Sequence, residues 1–475
     1  MRGAVNIREF AKKLDTGRLR AFFSSKYYPI LVAALTFLSW TFGLEFFLFP
    51  VSLALMCTAL CVCDTVTPLI MPFVTVIYNV SIKNSPGHPT FSDYYFTSWR
   101  LPVLIIMVAA FITSLAVFAI KNRIFSRISL KDSGILIPLF ILSVAFSTNG
   151  IFSKTAGLGN LVFGLAEAFA FSFIYIYIRY GFSERETTEE LGLHLAYISS
   201  LIALLLVGEL AVLYVTSDGI FDGGSIVKEA ISLGWGVWNP VGVCITVLIP
   251  MTLYGAMRSR HTYYYFAVAV ITALAAVMTM SRNAMIAAVL FFVICVAIAS
   301  FVGERKRTFR IITAVGAVLF LLLLIIFREK IAALLSDYLE RGLSDNGRFE
   351  LWRDGIDAFL EYPIFGVGFF GVPADTFHVT DFMPNFSHQT FVELLAATGI
   401  FGCLSYLYYR VKTAVPFFKR PTLLKTMLGL SMLVLLVESL LDNFVFYIYP
   451  LVYYNAALAI VMRDAERHSS PHGEQ

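Results

Sequence analysis

Residues 308–327 read TFRIITAVGAVLFLLLLIIF, and the apolar run stops at Arg328-Glu329-Lys330. A bilayer-spanning helix needs about 20 mostly apolar residues, so this stretch is long enough to cross a membrane. A long polar interval follows, 328–388, before the next apolar run begins at Gln389. The same length test worked outward in both directions gives about fourteen candidate spans. They lie near 28–43, 46–63, 65–80, 101–120, 134–148, 159–181, 193–216, 239–257, 261–280, 283–302, 308–327, 389–410, 422–441 and 443–462. Pro50, Pro68 and Pro72 interrupt the early runs, so 28–80 reads as three spans or as two with a re-entrant piece.

Composition agrees with the length test. Of 475 residues, 58% are hydrophobic and 14% charged, with a mean hydropathy of +0.76. Soluble chains carry about 25% charged residues. The expected fold is all-α: a polytopic transmembrane bundle of about 12–14 spans, with one large extracytoplasmic loop holding short amphipathic helices. The chain divides into a basic cytoplasmic segment (1–27), a transmembrane bundle (28–327), the loop (328–388), C-terminal transmembrane helices (389–463) and a disordered cytoplasmic tail (464–475). The first residues are basic but lack the pattern of a cleavable signal peptide. Six cysteines lie in or beside apolar runs without metal-ligand spacing. Neither a disulfide framework nor a metal or other cofactor is expected, and no nucleic-acid partner.

Lys and Arg in short connections set orientation. They cluster in the N-terminal segment, at 121–133, at Arg258 and Arg260, at 305–310 and at 410–420. With fourteen spans all of these fall on one side, the cytoplasm, together with both termini, in a plasma (inner) membrane. The connection at 182–192 is an acidic exception. The same parity puts 81–100, 217–238, the turn Ser281-Arg282-Asn283 and the loop 328–388 outside. Arg282 and the loop arginines break the positive-inside trend on one shared face.

Within the loop, Asp345 can cap a helix running to about Glu361. Phe349, Trp352, Ile356, Phe359 and Leu360 fall on one stripe, suited to a membrane surface or to packing on the bundle. A shorter helix is expected over 329–341. Arg348 lies in the first turn of the 345–361 helix, where backbone N–H groups and the helix dipole also favour an anion. Its planar fork of donors matches phosphate oxygens. The plainer reading is a wet ion pair with Asp345 or Glu350. Arg282 is either a second phosphate ligand or a snorkelling cation, and Arg353 reads as a solvated face. His388 closes the loop and can take a proton near neutral pH, although a histidine at a helix end is commonly structural. Glu167, Glu209, Glu438 and Asp442 lie deep in apolar runs, where acids face a cavity or a partner. Trp235 and Trp238 read as interfacial anchors.

The run Gly347-Arg348-(three residues)-Trp352, then Tyr362-Pro-Ile-Phe-Gly-Val-Gly368, then His388 leading to Gly399-Ile-Phe-Gly402 resembles the O-antigen ligase and Wzy-type O-antigen polymerase superfamily. Ser281-Arg282-Asn283-Ala284 is similar to its Ser-Arg-x-Ala turn, and Asn239-Pro240 to its Asn-Pro-Asn segment. The likeness spans roughly 235–405. Departures are Gln389 where the family commonly has Asn, Ala397 where it often has Glu, and Val241 after Asn239-Pro240. The resemblance implies a GT-C-like, metal-independent, inverting glycosyltransferase working on a polyprenyl-diphosphate-linked glycan donor outside the cytoplasm, with a glycan or lipid acceptor. It implies catalytic roles for His388, Arg282 and Arg348, with Arg353, Asn239, Gln389 and Trp352 as substrate-binding residues. Between polymerase and ligase, the extra spans and the departures near His388 favour polymerase. Other polysaccharide-assembly membrane proteins are candidate partners. Two other readings stand beside it: a lipid-linked oligosaccharide flippase, favoured by the span count and buried acids, and a scaffold in a polysaccharide-export complex.

Overall fold

The computed structural model describes residues 16–76, 100–129, 133–217, 219–222, 225–326, 328–329, 347–371 and 387–467. In chain order the helices are α1 (Thr16–Phe23), α2 (Tyr27–Phe42), α3 (Glu45–Val62), α4 (Ile70–Thr75), α5 (Arg100–Lys121), α6 (Ser133–Phe152), α7 (Leu158–Gly181) and α8 (Thr188–Thr216). Two short antiparallel pairs, Phe221–Asp222 with Ser225–Ile226 and Ser232–Leu233 with Gly236–Val237, precede α9 (Trp238–Thr246). Then come α10 (Ile249–Arg258), α11 (Thr262–Met278), α12 (Arg282–Phe301), α13 (Lys306–Ile326), α14 (Arg348–Glu361), α15 (Thr390–Phe418), α16 (Leu423–Ser439) and α17 (Ile448–Arg467). The chain is thus an all-α polytopic bundle, as the composition requires.

Among the described residues eight helices are long and apolar enough to cross a membrane, counting α9 and α10 together, or nine if the bent pair α1–α2 is one span. The sequence count of about fourteen is larger because several helices are shorter. α2, α11 and α16 have 16 or 17 residues, about 24 Å of rise against a hydrocarbon core of about 30 Å. The run around Pro68 and Pro72 gives only a 3-10 turn and the six-residue α4 before residue 77.

Burial sorts the helices. The α9–α10 window is 100% buried; it is apolar on every face because α8, α11, α12 and α16 surround it. At the other extreme only 17% of the α5 window is buried. Its exposed Ile105, Ile106, Ile112 and Ile120 present the outward apolar face that lipid solvates.

Contacts between connections define two ends of the bundle. At one end Arg20 and Lys121 meet Asp64 at 2.5 and 3.4 Å, Arg258 reaches Glu189 at 2.7 Å and also Glu304, and Lys425 holds Asp464 at 2.8 Å. The acidic connection at 182–192 belongs here. Glu189 answers Arg258, Glu186 accepts from the Thr65 and Thr67 hydroxyls, and Glu190 closes a capping box on Thr187. At the opposite end Tyr214 donates to the Met278 carbonyl at 2.6 Å, Ser281 to Asn239 at 2.8 Å, and His388 meets Asp442 at 3.1 Å.

A break in α15 locks the loop to this second end. Gly399 has φ 65° and ψ −166°, a conformation essentially open only to glycine. The break removes the helical bonds from Ile400 to Ala396 and from Phe401 to Ala397. The segment 363–368 supplies replacements. Ile400 and Phe401 donate to the Pro363 and Ile364 carbonyls at 2.8 and 3.3 Å. Val367 and Gly368 donate to the Ala396 and Ala397 carbonyls at 2.8 and 3.0 Å. Gly366 is at φ 72°, and a Cβ there would lie 2.5 Å from the Ala396 carbonyl oxygen. The α6–α7 connection covers the segment's outer side, where Lys154 and Thr155 donate to the Gly366 and Val367 carbonyls, both at 3.1 Å.

Gly399→Ala places a Cβ 2.4 Å from the Ile364 carbonyl oxygen in a backbone well costing about 1–3 kcal/mol for other residues. Thermal unfolding in detergent is expected to drop by several degrees. Gly316→Ala, with open space around it, is expected to leave the midpoint unchanged. Equal midpoints for both variants would contradict the docking.

Candidate active site

The loop helix α14 begins at Arg348, with Gly347 at φ 76° in the N-cap position and no side-chain cap. Asp345, expected as the cap, lies outside the described residues, as do 330–346 and with them most of the helix expected over 329–341. Buried Gly355 and Ala358 are the packing face. A Cβ on Gly355 would meet Val392, Ser387 and Ala396, so α14 lies across the first turns of α15. The expected apolar stripe is not that face. Phe349, Ile356 and Leu360 stay exposed, which suits the membrane-surface alternative.

Helical periodicity then sorts the loop residues. Positions 348, 352 and 355 share one side of α14, and Arg348 and Trp352 are half-buried there. Trp352 stacks edge-on against Phe349 with ring centroids 5.3 Å apart, and its indole Nε1 is buried without a partner among the described residues. Arg353 points the other way. It is 83% exposed, with Asp357 at 3.9 Å along the helix, the solvated face its sequence context predicts. Its expected substrate contact has no support in this geometry.

Arg282 opens α12, half-buried. The turn before it is pinned from α9. Ser281, in the N-cap position, makes no cap bond; its hydroxyl donates instead to the Asn239 amide oxygen at 2.8 Å. Asn239 therefore sets the height of the Arg282 helix end.

His388 sits at the mouth of α15 with φ 52°, a left-handed conformation uncommon for non-glycine residues. Its Nδ1 lies 3.1 Å from Asp442 Oδ1. The His388 side chain is 33% exposed and that of Asp442 only 9%. The carboxylate is fixed in turn, because Asn443 N donates to the same oxygen at 2.8 Å and the Thr390 hydroxyl donates to the Asp442 carbonyl at 3.2 Å. Gln389 caps α15, its side chain accepting from Val392 N, so its amide oxygen already has a structural use. Glu393 secures the same turn by accepting from Ser387 N at 2.8 Å and Ser387 Oγ at 3.2 Å. Among the described residues both polar side-chain atoms of buried Asn443 lack a partner.

The arrangement gathers the ends of α9, α12, α14, α15 and α16 at the end opposite the basic connections. It brings the Arg282, Arg348 and His388 segments to one side of the bundle. Sequence reasoning had Asp442 only as a buried acid. Its pairing with a histidine 54 positions away leaves no local signal. Trp235 is a correction. Rather than an interfacial anchor it is buried, donating to Glu209 at 2.9 Å, and this answers the buried carboxylate on α8. Trp238 is half-buried, with Lys228 5.5 Å from its ring centre.

No curated protein matches the chain. The region that does find a relative holds Arg282, Arg348, Trp352, His388 and Gln389, while Asn239 and Asp442 fall outside it. Residues 267–407 match the family model described as O-antigen ligase (Wzy_C), so this part of the chain is similar to that family.

Proposed function

We propose that the protein is a metal-independent, inverting membrane glycosyltransferase that transfers or polymerises glycan units from a polyprenyl-diphosphate-linked donor on the extracytoplasmic side of the plasma membrane. The observation that carries this reading is the His388–Asp442 pair, set at the same bundle end as the helix N-termini bearing Arg282 and Arg348. The family match agrees with it. The bulk of short-connection Lys and Arg lies at the other end, which makes that end cytoplasmic by the positive-inside trend.

Asp442 on Nδ1 fixes the imidazole's orientation, and Nε2 is then the nitrogen that takes the acceptor's proton. The acceptor oxygen forms a bond to the anomeric carbon as the bond from that carbon to the diphosphate oxygen breaks. The electron pair leaves with polyprenyl diphosphate. Arg282 and Arg348 hold that growing negative charge, preorganised in a site of low dielectric. A single displacement inverts the anomeric centre. Trp352 offers a ring face and an N–H donor, and Asn443 an amide, to glycan hydroxyls. Of the acids that favour a transporter, Glu209 is engaged by Trp235 and Asp442 by His388, local roles rather than a relay.

His388→Ala is expected to lower glycan transfer by about 10²–10⁴-fold, and Arg282→Ala and Arg348→Ala by about 10²–10³-fold each, at unchanged membrane insertion. Surface-polysaccharide ladders and a purified assay with a defined lipid-linked repeat report this; full activity in all three variants would end the proposal. Asp442→Asn is expected to lose less than His388→Ala and to add almost nothing in the double variant, since it acts through the histidine. Additive losses would detach it from the imidazole. Arg353→Ala, on the exposed face, is expected to stay within about fivefold of the parent. A defined lipid-linked repeat as sole substrate separates the two subclasses: longer glycans indicate a polymerase, and dependence on a separate lipid acceptor a ligase.

A further inference from the structure

Helix α15 carries an arginine inside its span. Thr390–Phe418 is long and apolar enough to cross a membrane. Lys425 donates to the Lys419 carbonyl, just past the end of α15, at 3.0 Å, which fixes that end among the basic connections. Arg410 lies eight residues before Phe418, about 12 Å of helical rise. A charge inside a span is costly and by default has a partner or a ligand. Three tyrosine rings surround this one. The guanidinium carbon is 4.9, 5.8 and 4.5 Å from the ring centres of Tyr406, Tyr409 and Tyr454, and Nε donates to the Tyr406 hydroxyl at 2.7 Å. The Tyr454 hydroxyl donates to Thr413 instead. Part of this arrangement is structural, since attraction of the cation to the rings fastens α15 to α17.

The rings leave most of the cation's donors unspent. A guanidinium has five N–H groups. Among the described residues Arg410 makes only the Nε bond, with no carboxylate or carbonyl on Nη1 or Nη2. The hydroxyl of Tyr409, a fully buried member of the same box, also lacks a partner among the described residues. Access is from the side of the helix. Arg410 is half-buried and flanks Leu404, Leu407 and Val411, which are exposed at the spacing of one helix face. An apolar stripe beside a cation with unused donors suits a molecule with a hydrocarbon chain and an anionic head, and an arginine fork matches two phosphate oxygens at once. We propose that Arg410, in its tyrosine box, binds the phosphate of an acidic membrane lipid whose chain lies along Leu404 and Leu407. This site is separate from the glycosyl-transfer site and does not depend on the reading of it.

The test uses the full chain in nanodiscs of phosphatidylcholine doped with phosphatidylglycerol. Native mass spectrometry counts the acidic lipid retained, and a parallel titration of inorganic phosphate into phosphatidylcholine nanodiscs follows binding by calorimetry. Saturable retention of phosphatidylglycerol is expected, weakened about tenfold or more by Arg410→Gln and less by Arg410→Lys, which keeps the charge but not the fork. Lys412→Gln removes an exposed charge two residues away, over the Tyr408 ring, and is expected to change retention by less than about threefold. Thermal midpoints of the variants show whether the bundle has kept its fold, and Arg410→Lys carries the comparison if Arg410→Gln has not. No saturable retention by the parent protein, or equal retention by the parent and a folded Arg410→Gln, would overturn the proposal. So would equal losses in Lys412→Gln and Arg410→Gln, or Arg410-dependent binding of inorganic phosphate without retained lipid.

Discussion

Four backbone hydrogen bonds across the break at Gly399 hold the candidate site together. A helix interrupted inside a membrane bundle exposes two N–H groups and two carbonyls that water cannot reach, each costing several kcal/mol if left alone. The segment 363–368 answers all four. Because it is bonded on one side to α15 and on the other to the α6–α7 connection, the polar interval is fastened to three helices at its C-terminal half. α14, which runs directly into that segment, inherits a fixed position over the start of α15. The Arg348 end of α14 and His388 at the start of α15 are thus placed by the same junction.

The remaining components are held by buried polar pairs, each between elements distant in sequence. Asn239 and Ser281 set the Arg282 helix end against α9, and Asp442 aims His388 from the end of α16. Trp235 answers Glu209 close to the same end. In a low-dielectric interior such pairs are geometrically strict, since either partner alone carries the full desolvation penalty. Chemistry requiring ordered cations and an oriented imidazole gains from that strictness.

Most of the helix plan was legible from the sequence, because a hydrophobic run of defined length is a one-dimensional signal. The spans at 101–120, 159–181 and 283–302 lie within a residue or two of α5, α7 and α12. The charge trend likewise grouped the basic connections that the structure puts at one end. Legibility failed where tertiary contact decides. The acidic connection at 182–192 looked anomalous until Glu189 met Arg258. Trp235 looked interfacial because its neighbours in sequence are turn residues, yet it is buried against α8. Gln389 was read as a ligand and serves as a helix cap. Asp442 could be named as buried, but not paired. The Gly366 and Gly399 motif was visible as a resemblance, while its physical purpose, joining loop to helix break, belongs to the fold.

The most direct measurement is a cryo-electron microscopy map of the chain in lipid with polyprenyl diphosphate bound. The account predicts the diphosphate within about 3 Å of both the Arg282 and Arg348 guanidinium groups, at the bundle end away from the basic connections, with the His388 imidazole facing the space left for the glycan. A diphosphate bound at the basic end, or held at the second end without contact to either arginine, would contradict it.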